Sequence, residues 1–416
     1  MNILQIIEKK KNKIELNANE IKYFIENYTN GFIPDYQISS LLMAIRLNGM
    51  SFDETFYLTK AMIESGDVID LSSIEGFKID KHSTGGVGDK VTLVVTPILA
   101  SLGIPVAKFS GRGLGITGGT IDKLESIKGF KTELTSEEFI TNVNKHKIAV
   151  AGQTANLVPA DKKLYALRDV TGTVDSIPLI AASIISKKIA SGADGIVLDV
   201  KCGSGAFMKT YEEAKVLAEM MTVIGEKFGR KFIAHISDMD NPLGRMIGNK
   251  LEVLEAYELL NGNMEYTHED LYDECVTIAT LMYELASGKS KEEAKKAVLT
   301  VLSNKSALEK FKEFIVAQGG DLSDIKMNET NYTVVIHSDK AGTVSKIDAL
   351  SIGEVCVSLG AGRLTKEDQL DFDAGVQLVK KKDDGVNEGD ILATIYSNKE
   401  VTKDQMNRAK EAFEII

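Results

Sequence analysis

Over residues 1–66 the apolar positions fall on helical faces divided by polar breaks. Ile21, Phe24 and Ile25 recur at spacings of three and four behind Asn17 and Glu20, a capping-box order, and Gly31 stands where that helix would stop. Ile38, Leu41, Leu42 and Ile45 form a second face before Gly49, and Ser51 with Glu54 caps a third helix that ends near Gly66. Each helix carries an apolar stripe that has to be covered, so the segment predicts a small helical domain or a dimer surface.

Near residue 70 the pattern changes to short β-branched runs, glycine loops and amphipathic helices. The runs 105-PVAKFSG-111, 195-GIVLDVKCGSG-205 and 231-KFIAHISDMDNPLG-244 each end in small or polar residues, as parallel strands do when they deliver loops at their carboxyl ends. Helices are predicted over 178-PLIAASIISKKIASG-192 and 211-YEEAKVLAEMMTVIGEKFG-229, which makes the middle of the chain α/β. After a junction at 317-AQGGDLSD-324, the stretches 341-AGTVSKIDALSIGE-354 and 385-GVNEGDILATIYS-397 alternate apolar runs with turn signals and predict a compact β-rich module. The lysine run 380-KKKDD-384 reads as a solvated turn.

The 416 residues suffice for two or three domains, and 44% hydrophobic with 26% charged residues is ordinary for a globular protein. A formal charge of −11 argues against nucleic-acid binding, which needs a broad positive surface. An anionic substrate would therefore need a local positive field. No apolar run reaches the ~20 residues of a bilayer span, and the first residues lack a signal-peptide pattern, so the expectation is a cytoplasmic protein without a membrane partner. Cys202, Cys275 and Cys356 are odd in number and far apart, which indicates buried filler rather than disulfides or a thiolate zinc site.

Candidate chemistry lies in two glycine loops, 81-KHSTGGVGDKVT-92 and 107-AKFSGRGLGITGGTIDKLESI-127. Glycines let the backbone turn its N–H groups toward one centre, and a following helix adds a positive N-terminal end, so such loops suit a phosphate. The first loop is not a Walker A loop, since Lys90 follows Asp89 and precedes Val91. Gly113, Gly115 and Gly118 match a dinucleotide pattern, but the acids at the right distance, Glu137 and Glu138, read as a helix start. Glycines that merely permit turns would leave Lys81, Ser83, Lys108, Ser110, Thr117 and Thr120 unexplained beside them, and an anion site explains all six. In a third element, Arg168 precedes a turn while Ser183, Ser186 and Lys187 share a helix face, and apolar surroundings single out Lys187 over Lys188.

Together, 81-KHSTGGVGDK-90, 110-SGRGLGITGGTIDKLE-125 and 168-RDVTGTVDSIPLIAASIISKK-188 resemble the pyrimidine-nucleoside phosphorylases, which include the thymidine phosphorylases, and the likeness runs over essentially the whole chain. The resemblance implies reversible phosphorolysis of uridine, thymidine or deoxyuridine to free base and α-ribose-1-phosphate or its 2-deoxy form. It implies phosphate positions at Lys81, Ser83, Thr92, Ser110 and Thr120, with Lys108 at the edge of that site. It implies base contacts at Arg168, Ser183 and Lys187, and at His82, which leans over the 2-oxo group. Arg168, Lys187 and His82 are then the residues that act on the leaving base.

The same resemblance implies a potassium ion at Gly88, Lys90, Leu243, Met246 and Glu255; Lys90, Leu243 and Met246 would have to offer main-chain oxygens. By residues alone Glu255 reads as a surface helix position. The implied architecture is all-α plus α/β, with a helical domain built from 1–66 and 160–192, a mixed-sheet α/β domain from 67–159 and 193–325, and the β-rich module at 326–416. Base and phosphate residues would then sit on opposite lips of a cleft, and the helical domain would form a homodimer. Ile116 departs from the histidine that many members carry, while Lys108 follows the branch that accepts uridine rather than the thymidine-restricted branch. Two rival readings are a phosphoribosyltransferase, with Asp122 and Glu125 holding magnesium, and a carrier module with Lys346 as its attachment site.

Overall fold

The structure is a computed structural model and describes residues 1–113, 116, 118–154, 156–327, 330–363, 365 and 368–416. Four helices open the chain: α1 (Ile3–Lys11), α2 (Ala18–Thr29), α3 (Asp35–Asn48) and α4 (Phe52–Ile63). Asn17 with Glu20 and Ser51 with Glu54 each close a reciprocal capping box, so the starts of α2 and α4 lie where the polar breaks predict. Asn2 caps α1 by accepting from Leu4 N. Gly49 ends α3 at a left-handed φ of +73°, a conformation that a side chain would resist.

The chain continues through β1 (Ile79–Ser83), α5 (Val91–Ser101), β2 (Val106–Ser110), α6 (Thr120–Glu125), α7 (Ser136–His146) and β3 (Ile148–Gly152). Next come α8 (Pro159–Asp169), α9 (Ile177–Ala190), β4 (Gly195–Cys202), α10 (Tyr211–Lys227), β5 (Lys231–Asp238), β6 (Met246–Ile247) and α11 (Asn249–Leu260). Helices α12 (Glu269–Ser287), α13 (Lys291–Ser303) and α14 (Ser306–Ala317) precede the C-terminal elements. Those are β7 (Tyr332–His337), β8 (Gly342–Ile347), α15 (Ala349–Leu359), β9 (Gly375–Leu378), β10 (Gly385–Val386), β11 (Ile391–Ser397), α16 (Lys403–Glu411) and β12 (Phe413–Ile415). The architecture is thus a small N-terminal helical domain, a larger mixed α/β domain and a C-terminal β-rich module.

Contacts divide the chain into two compact units, Met1–Ser73 with Gln153–Leu198 and Glu212–Ala234, and Ile74–Gly152 with Asp199–Tyr211 and His235–Ile416. In the first, Phe24, Ile25, Leu41, Ile45 and Leu58 share one buried core with Leu164 of α8 and Leu179 of α9. In the second, β2 and β3 pair in parallel with Val106 opposite Ile148. Strands β1, β4 and β5 form a sheet in that order, and the unit boundary falls within β4 and β5. The C-terminal strands make an antiparallel sheet β6–β9–β11–β7 and a second sheet β10–β8–β12.

Two local expectations are corrected. Residues 349–354 belong to α15 rather than to an alternating strand, because Asp348 caps a helix by accepting from Ser351 N. Within the lysine run, Lys381 is buried rather than solvated: its ammonium donates to Pro242 O at 2.6 Å and Gly244 O at 2.8 Å, and pairs with Asp270 at 2.8 Å. Three acceptors offset the cost of burying the charge.

Candidate active site

The first glycine loop begins where β1 ends. Lys81 is fully buried, and its ammonium faces Asp199 at 2.8 Å and Asp89 at 3.7 Å. Only Asp199 stands within hydrogen-bond distance of the three-donor Lys81 ammonium among the described residues. Asp199 also pairs with Lys201 at 2.9 Å and accepts from Ser237 Oγ at 2.7 Å. Lys201 in turn reaches Glu274 at 3.2 Å, and His235 faces the same carboxylate at 3.4 Å.

Burial alone would lower the Lys81 and Lys201 pKa values, but Asp199 and Asp89 outweigh it and hold both raised. Burial would likewise raise the carboxyl of Asp89, yet Lys81, Lys201 and Lys123 hold it well below the usual range. The bond to Glu274 raises His235 against the opposing effect of its burial. Lys81 and Lys201 are therefore both held in their charged forms.

The other predicted phosphate residues gather at the ends of neighbouring elements of the same unit. Ser83 closes β1, donates to Asp89 and accepts from Gly85 N at 3.1 Å, which folds the loop back on itself. Thr92 lies in the first turn of α5, a helix with no side-chain cap, while Ser110 ends β2 and Thr120 opens α6. Lys108 is buried beneath Lys81 and donates to Asp80 at 3.0 Å and to Lys81 O at 2.5 Å. His82 follows Lys81 on β1 and is half-buried. Thr117 and Gly115 lie outside the described residues.

The predicted base residues meet on α8 and α9. Arg168 is buried at the end of α8 and donates to the carbonyls of Thr173 at 3.3 Å, Val174 at 2.6 Å and Leu179 at 3.2 Å. Burial lowers its pKa, with Asp161 opposing. Lys187 donates to Ser183 Oγ at 3.0 Å and to Asp161 at 2.6 Å. The Tyr165 ring centre stands 5.6 Å from Arg168 Cζ and 5.8 Å from Lys187 Nζ, joining the two cations around one aromatic face.

Sequence reasoning missed several of these partners. Asp161 and Tyr165 precede Arg168 by seven and three residues, which places all three on one face of α8, and the buried Asp161 Oδ1 has no partner among the described residues. Asp199 and Lys201 alternate along the otherwise apolar β4, a pattern that could have marked them. Glu274 and His235 left no local signal.

The positions implied for potassium also come together. Glu255 is fully buried rather than on the surface, and the Lys90 ammonium, not its carbonyl, points at Leu243 O, Met246 O and Glu255. Of the rival readings, Asp122 is held by Arg363 at 2.8 Å and by Gly113 N at 2.6 Å, and Glu125 by Arg112 and Thr132. Lys346 lies inside β8 opposite Glu414 of β12, not at a hairpin tip where a carrier lysine would be presented. No described helix is long and apolar enough to cross a membrane.

Residues 4–66 match the helical bundle domain of a glycosyl transferase family and residues 75–308 match its a/b domain, so the fold and site define a glycosyl-transferring enzyme. Residues 343–416 match the pyrimidine nucleoside phosphorylase C-terminal domain. The chain is 54% identical to a pyrimidine-nucleoside phosphorylase of Staphylococcus haemolyticus, covering 100% of this chain and 96% of that one. It is 53% identical to that of Geobacillus stearothermophilus over the same shares, and 55% identical to that of Bacillus subtilis over 96% and 93%. It belongs to the pyrimidine-nucleoside phosphorylase family. In fold it is similar to anthranilate phosphoribosyltransferase from Thermus thermophilus, with a TM-score of 0.60, 17% identity, and coverage of 75% of this chain and 99% of that one.

Proposed function

We propose that the Lys81 loop holds inorganic phosphate and the Arg168–Lys187 cluster holds a pyrimidine, in the reversible phosphorolysis of pyrimidine nucleosides to base and ribose-1-phosphate. The observation that carries the phosphate assignment is the Lys81 ammonium, buried and held charged, with only Asp199 within hydrogen-bond distance among the described residues, which leaves donors for an anion. Ser83, Thr92, Ser110 and Thr120 add hydroxyls, and Lys108 stands at the sugar edge.

When the bond from N1 to the anomeric carbon breaks, electrons move onto the ring and its oxygens while positive charge builds on the sugar. Arg168 and Lys187 stabilise the departing base, His82 bonds its 2-oxo group, and Ser183 orients the ring. Phosphate attacks the anomeric carbon from the opposite face, so no covalent enzyme intermediate forms. The carboxylates a magnesium-dependent phosphoribosyltransferase would use are engaged, Asp122 by Arg363 and Glu125 by Arg112, which favours phosphorolysis.

The reading includes residues 160–192 in the helical domain, a cytoplasmic location in keeping with three free cysteines, and a homodimer through that domain. Support for the dimer is the exposure of three large apolar side chains of the N-terminal helical segment, Phe32, Tyr36 and Leu47, which are 77%, 71% and 74% exposed. Light scattering should show a monomer for Tyr36→Asp combined with Leu47→Asp. Potassium, as the family resemblance implies it, would need oxygens that already bond Lys90.

The deciding assay supplies uridine, thymidine, deoxyuridine and cytidine with and without phosphate. Base should appear only with phosphate, matched by sugar-1-phosphate. Release without phosphate would indicate a hydrolase, and activity requiring pyrophosphate and magnesium would indicate the transferase.

A further inference from the structure

The turn 242–246 directs four main-chain carbonyls at two buried ammonium groups. Lys90 Nζ donates to Leu243 O at 2.9 Å, Met246 O at 2.7 Å and Glu255 Oε2 at 2.5 Å. Lys381 Nζ takes Pro242 O at 2.6 Å and Gly244 O at 2.8 Å. An ammonium has three donors, so Lys90 is fully engaged. The rest of the carboxylate is engaged too: Glu255 Oε1 accepts from Arg245 N at 2.7 Å, and Oε2, the oxygen that faces Lys90, also accepts from Met246 N at 2.8 Å.

Inward carbonyls with a dry carboxylate are the oxygen set that replaces the water shell of a monovalent cation. Close approach is built into the backbone around them. Gly88 has φ +77°, and a Cβ there would stand 2.5 Å from Leu243 O; Gly244 has φ +72°, and a Cβ there would stand 2.5 Å from Glu255 Oε1.

We propose that the Lys90 ammonium is a tethered replacement for the potassium ion, so that this enzyme carries its own monovalent cation. The residues present do not fit a separate ion. The three oxygens it would share lie within 2.9 Å of Nζ, and Lys90 and Glu255 side chains are both 0% exposed, which leaves a second positive charge facing the first without water to screen it. Lys90 immediately precedes α5, whose first turn bears Thr92, so its ammonium ties the start of that helix to the 242–246 turn in any salt. Lys90 is therefore a positioning residue for the phosphate loop. The inference does not use the identity of the nucleoside, and its thermal readout is independent of turnover.

The test exchanges potassium for tetramethylammonium at constant ionic strength and follows Tm and kcat/KM in the wild-type enzyme and in Lys90→Ser, which vacates the ammonium position and offers a hydroxyl oxygen. The wild type should keep its Tm and change kcat/KM by less than about twofold, whereas Lys90→Ser should gain Tm with the logarithm of potassium concentration. A wild-type Tm that climbs saturably with potassium, or a saturable loss of activity beyond about tenfold on its removal, overturns the proposal. A folded Lys90→Ser that ignores potassium also overturns it, because the position is then only a buried ion pair. If Lys90→Ser does not fold in any salt, the wild-type titration decides alone.

Discussion

Lys81 and Lys90 stand at the two ends of one glycine loop, and both side chains are 0% exposed. Lys90 spends its donors on two carbonyls and a carboxylate, while Lys81 has one acceptor within hydrogen-bond distance among the described residues, Asp199 at 2.8 Å, and Asp89 farther off at 3.7 Å. Both side chains are equally buried, so burial does not separate the lysine proposed to hold phosphate from the one proposed to hold the turn together. The count of engaged donors does separate them, three at Lys90 against one close pair at Lys81, and the donors left over at Lys81 are what an anion would meet. Arg168 stands between the two: three of its five N–H donors go to backbone carbonyls, leaving two for a ligand.

The largest effect expected from this contrast is on stability at Lys90. Lys90→Met leaves Glu255 buried without its cation and should cost about 3–5 kcal/mol, measured by denaturant unfolding in the absence of substrates. A loss below about 1 kcal/mol would remove the contrast from its structural end. Arg168→Ala should lower kcat roughly 10²-fold, equivalent to ~3 kcal/mol of transition-state stabilisation. A 5-fluorinated pyrimidine, being a better leaving group, should suffer less; equal losses would mean that Arg168 only positions the substrate.

Smaller effects sharpen the account. Lys108 already donates to Asp80 and Lys81 O, so Lys108→Met should lower the uridine-to-deoxyuridine ratio of kcat/KM by under about tenfold. An unchanged ratio would reject it as the sugar discriminator. At His235 the sign follows from its raised pKa: the bond to Glu274 contributes fully below the ordinary value of 6.5 and is lost as pH rises through the raised value. His235→Gln should therefore lower Tm at about pH 5.5 and hardly at about pH 9, and the reverse order would contradict the pairing.

Local chemistry was legible in the chain where the cause is local. The capping residues Asn17 and Ser51 and the left-handed Gly49 act within a turn of their own position. Ser83, Ser110 and Thr120 stand out as candidates because glycines surround them. Lys90 and Lys381 were not readable in this way, since their acceptors lie 153 and 139 residues away in sequence, at Leu243 and Pro242. A lysine beside aspartates reads as solvated until the fold brings carbonyls to it, which is why the run at 380–384 misleads. Asp161 was hidden for a different reason: an acid in the first turn of a helix has an ordinary explanation, and only Lys187 at 2.6 Å gives it another.

The most direct test of the contrast is the thermal midpoint as a function of inorganic phosphate for Lys81→Met beside the wild type. Asp199 retains Lys201 at 2.9 Å, so the variant should remain folded. The account predicts a wild-type midpoint that rises with the logarithm of phosphate concentration, and a variant curve displaced to roughly 10–100-fold higher phosphate, the loss of a charge-assisted bond of ~1.5–3 kcal/mol. Superimposable curves from a folded variant would contradict it.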